Sequence, residues 1–237
     1  MCSNYRPVTR ADRMLAFFGV ERGRDEPSAD VFPFGLAPMI RLAHDDGGVP
    51  GGRLADAIFR FVPDFIAKVE WARRTYNARS ETVATKSTYT EAWAKGQRCT
   101  IPTESFYEPN YESGKAVRWN IQQPGEVTMG IAGIYRIWRT PDGRDVFTMA
   151  MLTVNADDHP LMKRFHKPGD EKRMVVILDP ADYSRWLSCA VEEAPTFCKQ
   201  WHGPLDANAA PLSPRAPKSS SVKTSAPPPP PQTGELF

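Results

Sequence analysis

A cysteine directly follows the initiator methionine, and this position gives it a chemistry that an internal cysteine does not have. If Met1 is trimmed, Cys2 carries a free α-amine and a thiol on neighbouring carbons, with reference pKa values near ~8 and ~8.5. An amine condenses with an aldehyde to a Schiff base, and the thiol then closes on the imine carbon to give a thiazolidine. The alternative is that Cys2 is only a small residue in the first strand.

Three further parts of the chain carry polar groups suited to catalysis. Asn77, Arg79 and Glu81 lie in one short stretch, residues 77–82, where a loop is predicted to enter a helix over about 86–95; helix capping is the alternative explanation for them. Glu108 follows two aromatic residues, and desolvation there would raise its pKa toward the range used in acid-base catalysis. His166 is the better candidate of two nearby histidines, because His159 precedes a proline in a turn-rich stretch and is expected to be solvated.

The composition is that of a globular chain without a strong overall charge. The chain has 237 residues, 41% of them hydrophobic, and 30 Lys plus Arg against 28 Asp plus Glu, so a nucleic-acid site must be a local patch. Four scattered cysteines and the absence of a signal peptide predict a reducing cytosolic setting. No apolar run is long enough to cross a membrane. Cys198 and His202 lack a second ligand pair, so we expect no metal site and no cofactor.

The predicted elements are mostly β-strands. Residues 116–154 alternate as strands with a Pro141-Asp142-Gly143 hairpin turn. We expect a helix after an N-cap at Thr9, a strand from Arg98 that ends at Pro102, a buried strand over 174–178, and a helix that Asp179 and Pro180 begin. Residues 54–71 show no single period. The sequence therefore predicts one α+β domain over 1–205, with a largely antiparallel, barrel-like sheet and short peripheral helices.

The residues after 205 differ from the rest in composition. Eight of the 32 residues from 206 to 237 are proline and no hydrophobic periodicity remains, which predicts a disordered tail. The tail ends in Leu236-Phe237, which loosely resembles the peptides by which bacterial repair proteins dock on the replication sliding clamp. The sequence thus suggests the clamp as a possible partner.

Taken together, the ordered motifs resemble the SRAP family (SOS response-associated peptidase). The similarity rests on Met1-Cys2, on 77–82, on Phe106-Tyr107-Glu108, and on Asn155-Ala156, His166 and Arg173-Met174, in that order over residues 1 to about 200. It implies a soluble, monomeric protein of the bacterial cytoplasm and nucleoid that senses abasic sites in single-stranded DNA. The mature N-terminal cysteine would form a thiazolidine crosslink with the ring-opened sugar. The implied enzyme class is a peptidase (hydrolase) or a lyase.

The resemblance also implies roles for individual residues. Cys2 would be the nucleophile, Asn77 would hold the cysteine and the sugar by hydrogen bonds, and Glu108 and His166 would transfer protons. Arg79 would contact DNA phosphates, with Arg173 as a companion. Other cations that could extend this surface are Arg73, Arg74, Lys163, Arg164, Lys167 and Lys172, although they could equally be a solvated face.

Some positions depart from the family pattern, and two other functions stay open. Ser3-Asn4 replace a usual Gly-Arg, so an arginine that contacts DNA is expected to be missing beside Cys2; Pro109 and Val175 replace a usual tryptophan and proline. One alternative is an N-terminal-nucleophile or cysteine peptidase in which His166 activates Cys2. The other is a non-catalytic adaptor that binds single strands and docks on a partner.

Overall fold

Strands dominate the part of the chain that the computed structural model describes, which comprises residues 2–23, 25–26, 29–44, 50–63, 65, 72 and 74–212. Its strands are β1 (Asn4–Pro7), β2 (Leu36–His44), β3 (Pro50–Phe59), β4 (Asn77–Arg79), β5 (Arg98–Asn110), β6 (Val117–Gln122), β7 (Met129–Arg139), β8 (Asp145–Asn155), β9 (Arg173–Val175), β10 (Ile177–Leu178) and β11 (Asp206–Ala209). Its α-helices are α1 (Ala11–Phe18), α2 (Thr90–Ala94) and α3 (Tyr183–Ser188). Within these ranges, no helix is long and apolar enough to cross a bilayer.

Five strands close into a barrel in the order β7, β8, β3, β2, β5, with β5 pairing back to β7. All of these pairings are antiparallel except that of β3 with β8. The hairpin predicted at Pro141–Gly143 joins β7 to β8, in the register Arg139↔Asp145 and Trp138↔Val146. The prediction of a single-domain α+β fold with a largely antiparallel barrel is confirmed.

Strand β5 is the longest element, and it joins the barrel to strands outside it. It has 13 residues and pairs with β1, β2, β6 and β7. The prediction that it ends at Pro102 is wrong, because proline removes only the donor of a residue and leaves its carbonyl in the ladder. The Pro102 carbonyl accepts from Val8 N at 3.1 Å, and the Pro109 carbonyl accepts from His166 N at 2.8 Å.

The core fills the barrel and continues under α3. Trp186 on α3 is fully buried, and its indole Nε1 donates to the Cys99 carbonyl of β5 at 2.9 Å. Asp179 caps the helical turn before α3 by accepting from Ala181 N at 3.0 Å, as predicted. The buried segment predicted at 174–178 is confirmed but is divided at Val176, where the chain passes from β8 to β7: Val176 N donates to the Leu152 carbonyl, and the Val176 carbonyl accepts from Ala132 N.

Several predicted boundaries shift in the structure. Helix α1 has Arg10, not Thr9, at its N-cap position, and the helix predicted over 86–95 is a series of turns followed by the five-residue α2. Residues 64, 66–71 and 73 lie outside the described residues, so the mixed stretch 54–71 is seen only in part, with β3 at its start. The sheet also continues past residue 205, because β11 pairs with β6. The tail over 213–237 lies outside the described residues and stays a prediction.

Gly133 offers a test of the close packing inside the barrel. A Cβ at this position would lie 2.8 Å from Ile101 Cδ1 and 2.9 Å from the Ala150 carbonyl oxygen, which cannot move without distorting β8. We expect Gly133→Ala to lower the free energy of unfolding by about 2 kcal/mol. Gly51→Ala is the control, because its Cβ would meet nothing within 4 Å. Urea denaturation compares the two, and equal stability of both variants would contradict the packing described here.

Candidate active site

The N-terminal strand places Cys2 against the middle of β5. β1 runs antiparallel to β5 in the register Asn4↔Tyr107 and Tyr5↔Phe106, so the residues before Asn4 approach Glu108. Cys2 is fully buried, and its Sγ donates to the Asn4 carbonyl at 3.3 Å. Met1 lies outside the described residues. The pairing of a four-residue strand with the longest strand therefore fixes where the thiol lies.

Asn77 reaches the same place from the other side of the barrel. It belongs to β4, which runs parallel to β8 with Asn77 opposite Met151. Its Nδ2 donates to the Cys2 carbonyl at 2.6 Å, and the Tyr89 hydroxyl donates to the Asn77 carbonyl at 3.0 Å. Asn77 Oδ1 is buried and accepts no hydrogen bond from the residues that the structure describes. The side chain thus positions Cys2 and keeps one acceptor available for a ligand.

Glu108 and His166 form a buried pair beside Cys2. His166 Nδ1 lies 3.4 Å from Glu108 Oε2, and His166 Nε2 lies 2.8 Å from the Arg173 carbonyl. A carbonyl only accepts, so Nε2 carries the proton and a neutral His166 presents its Nδ1 lone pair to Glu108. His166 adopts a left-handed conformation with φ of 64°, which is unusual for a non-glycine residue. Its amide is held there by the Pro109 carbonyl at 2.8 Å.

Burial sets the protonation of these groups. It raises the pKa of Glu108 to about 7 and lowers the pKa of His166 to about 4. The two shifts agree on a pair in which the carboxyl group, rather than the imidazole, gains and loses a proton near neutral pH. Burial, reinforced by the negative charge of Glu108, raises the pKa of the Cys2 thiol to about 12. The thiol therefore stays protonated until a base accepts its proton.

The alternation within residues 77–82 gives each polar side chain a separate contact. Arg79 Nη1 pairs with Glu171 Oε2 at 2.7 Å, and Glu81 Oε2 pairs with Arg173 Nη2 at 2.8 Å. Asn77, Arg79 and Glu81 therefore point to three neighbouring parts of one site. Residues 77–79 form strand β4 and residues 80–82 form a turn, so the loop predicted here begins as a strand.

The predicted cations occupy different environments. Arg79 is half-exposed, and Arg74, Lys163 and Arg164 are exposed, whereas Arg73 lies outside the described residues. Arg173 is buried, and its guanidinium donates to Glu81, Glu171 and the Thr153 carbonyl. The Arg173 side chain therefore links β9 to β8 and to Glu81, and the Arg173 carbonyl orients His166.

Comparison with known proteins assigns this architecture. The family model "SOS response associated peptidase (SRAP)" matches residues 1–215. The chain belongs to the SRAP family. It is 25% identical over 193 residues to the abasic site processing protein YoqW of Bacillus subtilis, with 79% of this chain and 80% of that protein covered. It is 26% identical to the abasic site processing protein HMCES of Gallus gallus, covering 75% of this chain and 58% of that one.

Solved structures agree with the family assignment. A crystal structure of a protein from Bordetella bronchiseptica is 34% identical, covers 89% of this chain and all of its own, and superposes with a TM-score of 0.81. One from Bacteroides thetaiotaomicron shares the fold with a TM-score of 0.73 at 21% identity, covering 88% of this chain and 91% of its own. Both solved structures therefore share the fold of this chain.

The structure gives a role to Asn4, one of the positions at which this SRAP chain departs from the usual pattern. With its amide oxygen turned toward Arg118, Asn4 accepts from Nε at 3.0 Å and from Nη2 at 2.7 Å. Arg118 lies over the Tyr107 ring, 3.3 Å from its centroid, and also pairs with Asp30. Asn4 thus links β1 to β6 beside Cys2. The sequence offered no means of pairing these two positions.

Tyr76 is a site residue that the sequence prediction missed. It is half-buried and packs on Phe59, with ring centroids 5.7 Å apart. Its pKa is raised by burial first and then by the charges of Cys2 and Glu108, which places its hydroxyl near both. The only available indication was its position directly before Asn77.

The prediction that His159 is solvated is wrong. It is buried, its Nδ1 accepts from the amides of Leu161 and Met162, and its Nε2 lies 2.7 Å from the Trp201 carbonyl. The proline after it forms part of a turn, and the amides of that turn donate to the ring. His159 is therefore a structural residue. Among the described residues, no three His, Cys, Asp or Glu side chains gather as a metal site would require.

Proposed function

We propose that this protein captures abasic sites in single-stranded DNA by forming a covalent thiazolidine through Cys2. The observation that carries the proposal is the convergence of Cys2, Asn77 and the Glu108–His166 pair in one buried site. An abasic sugar is an aldehyde that is mostly closed as a hemiacetal, so a group that can donate and accept protons near neutral pH is required to open it. Related chains that carry the name "abasic site processing protein" support the same substrate.

The reaction can be written with residues of this chain. Glu108 assists ring opening by moving a proton between the sugar hydroxyl and the ring oxygen. The amine of mature Cys2 adds to the aldehyde carbon to give a carbinolamine. A proton from Glu108 lets the carbinolamine hydroxyl leave as water, and Glu108 takes a proton back from the nitrogen to give the imine. The thiol then adds to the imine carbon and its proton passes to the nitrogen. The products are one thiazolidine and one water, and Glu108 ends in its starting state.

Asn77 and His166 position the reacting groups in this scheme. The amide of Asn77 holds the Cys2 carbonyl and offers Oδ1 to the amine or to a sugar hydroxyl. His166 directs Nδ1 at Glu108 and so orients its carboxyl proton. Arg79, two residues after Asn77 on β4, would contact a phosphate of the DNA.

The peptidase alternative would need an imidazole that takes the proton of the Cys2 thiol. His166 instead directs Nδ1 to Glu108 and Nε2 to the Arg173 carbonyl. These contacts favour the capture of an aldehyde over an activated cysteine. Turnover of a peptide by the mature protein would support the peptidase, and reversible, salt-sensitive binding with no adduct would support the adaptor.

The test uses the full chain and three oligonucleotides that differ at one position. The first has an abasic site, the second has a tetrahydrofuran analogue that cannot open to an aldehyde, and the third is undamaged. We expect an adduct that survives denaturing electrophoresis with the first alone, and an intact protein mass that lacks Met1. Retention of Met1 in protein that still forms the adduct would overturn the mechanism.

Asn77→Ala tests the positioning step. Loss of the 2.6 Å bond to the Cys2 carbonyl removes a net contribution of about 1 kcal/mol, so we expect adduct formation to slow about fivefold. Asn208→Ala, which removes an exposed amide from β11, serves as the control and should react like the wild type. Single-turnover gel kinetics measure both. An unchanged rate in Asn77→Ala would remove Asn77 from the mechanism.

The proposal also includes the tail. Leu236-Phe237 would dock on a sliding clamp and so bring the protein to replicating DNA near the nucleoid. Co-purification of a bacterial clamp with the full chain, lost on replacing Leu236 and Phe237 by alanine, is the expected result. Equal recovery of the clamp with both chains would discard this part and leave the capture chemistry untouched.

A further inference from the structure

Two of the cations proposed to meet DNA are already bound by carboxylates. Arg79 pairs with Glu171 at 2.7 Å. Arg164 forms two bonds with Glu112, at 2.9 and 3.0 Å. In both pairs the arginine is accessible, with 50% of the Arg79 side chain and 38% of the Arg164 side chain exposed. A phosphate that approaches either arginine therefore meets a competing anion.

Glu171 differs from an ordinary surface acid because it is held from the inner side as well. Its Oε1 accepts from the buried Arg173 at 2.7 Å and from Asn155 Nδ2 at 3.2 Å, while Oε2 faces Arg79. The hydrogen bond from Arg173 lowers the pKa of Glu171, so the carboxylate stays charged at neutral pH. Because Arg173 and Asn155 already fix this carboxylate, its pairing with Arg79 costs little further side-chain entropy.

We propose that Glu171 is a specificity-determining residue that competes with DNA phosphate for Arg79 and thereby keeps undamaged single strands weakly bound. This inference rests on the proposed function, because it assigns Arg79 to the DNA backbone. With the phosphate contact weakened, retention of a strand depends on the covalent step, which only an aldehyde permits. Because of Glu171, the selection of a DNA strand depends less on its attraction to Arg79 and more on the covalent reaction of its aldehyde.

A phosphate can replace Glu171 at Arg79 without leaving the buried guanidinium of Arg173 unpaired. When a phosphate takes Arg79, Glu171 still pairs with Arg173, and Arg173 also keeps its two bonds to Glu81, at 3.0 and 2.8 Å. Only the half-exposed ion pair is exchanged. Since exposed pairs are weak, the expected effect on affinity is a few-fold and not many orders of magnitude.

Glu171→Gln tests this competition, with binding of an undamaged single-stranded oligonucleotide followed by fluorescence anisotropy at several salt concentrations. We expect about 2- to 5-fold tighter binding at low salt and a slope of log K against log salt that is steeper by about 0.7, which corresponds to one more phosphate contact. In the double variant with Arg79→Gln the gain should disappear. Glutamine still accepts a hydrogen bond from Arg173, and a thermal melt confirms the fold.

Asp145→Asn is the matched control. It removes the same charge and releases an exposed arginine, Arg139, but it lies at the far end of β8, about 33 Å from Asn155 along the strand. Equal tightening by Asp145→Asn, or no tightening by Glu171→Gln, would overturn the inference. Because these measurements need no adduct, a failure of the capture chemistry would show separately, as wild-type protein that forms no crosslink with abasic DNA.

Discussion

Replacement of Cys2 by alanine is expected to abolish the denaturation-resistant adduct with abasic single-stranded DNA. The amine survives in this variant and still reaches the aldehyde, but the thiol that would close the ring is gone. Adduct formation therefore stops at an imine, which water reverses during denaturation. Denaturing gels with and without borohydride measure the difference, because borohydride reduces an imine to a stable amine. An undiminished adduct without borohydride would refute the thiazolidine.

Cys2→Ser separates the chemistry from the packing. Cys2 is fully buried and its Sγ donates to the Asn4 carbonyl, so a hydroxyl can keep that contact while it remains a poorer nucleophile than sulfur. We expect a stable fold and an adduct that appears only with borohydride. If the serine variant lost both forms of the adduct while its thermal melt was unchanged, Cys2 would be needed for positioning and not for ring closure.

Glu108→Gln is expected to slow adduct formation by about 10²- to 10⁴-fold, the usual contribution of a general acid-base group. Glutamine matches the shape of glutamate but cannot give up or take a proton. Because burial raises the pKa of Glu108 to about 7, the wild-type rate should change across neutral pH, and the variant rate should lose this dependence. Single-turnover kinetics between pH 5 and 9 test both statements, with Glu192→Gln on the surface as control. A variant that kept the wild-type pH profile would exclude Glu108 as the proton carrier.

The same substitution should stabilise the fold at high pH. The folded-state pKa of Glu108, about 7, lies above its ordinary value of 4.5, so between these values the unfolded chain releases a proton that the native protein keeps. Stability from this group is complete below pH 4.5 and is lost as pH rises through 7. Glu108→Gln removes the loss, and we expect a gain of roughly 3 kcal/mol at pH 8 and almost none at pH 4. Urea denaturation at the two pH values is the measurement.

The strands β6 to β8 could be predicted, and Cys2 could be proposed as the nucleophile, because the information for both is local. Alternation along 116–154 and the Pro141–Gly143 turn are properties of neighbouring residues, and they produced β6, β7 and β8. The position of Cys2 after Met1 and the aromatic residues before Glu108 are also local. Each of these features can be recognised without knowledge of the partner strand.

The features that could not be predicted depend on residues far apart in sequence. The parallel pairing of β4 with β8 turns a presumed capping loop into the strand that aims Asn77 at Cys2. Pro102 was predicted to end a strand because only its missing donor is visible in a sequence, whereas its carbonyl accepts from Val8 N. Arg173 was expected to accompany Arg79 at the DNA phosphates, and nothing in the sequence indicated that Glu81 and Glu171 bind its guanidinium.

The pairing of β1 with β5 also bears on the removal of Met1 that the proposed chemistry requires. The residues of β5 that pair with β1, 103–107, are synthesised about a hundred residues after β1 itself. At 5–20 residues per second β1 stays unpaired for roughly 5 to 20 s. In the folded protein Cys2 is fully buried. We therefore expect Met1 to be removed during translation, before β1 joins the sheet.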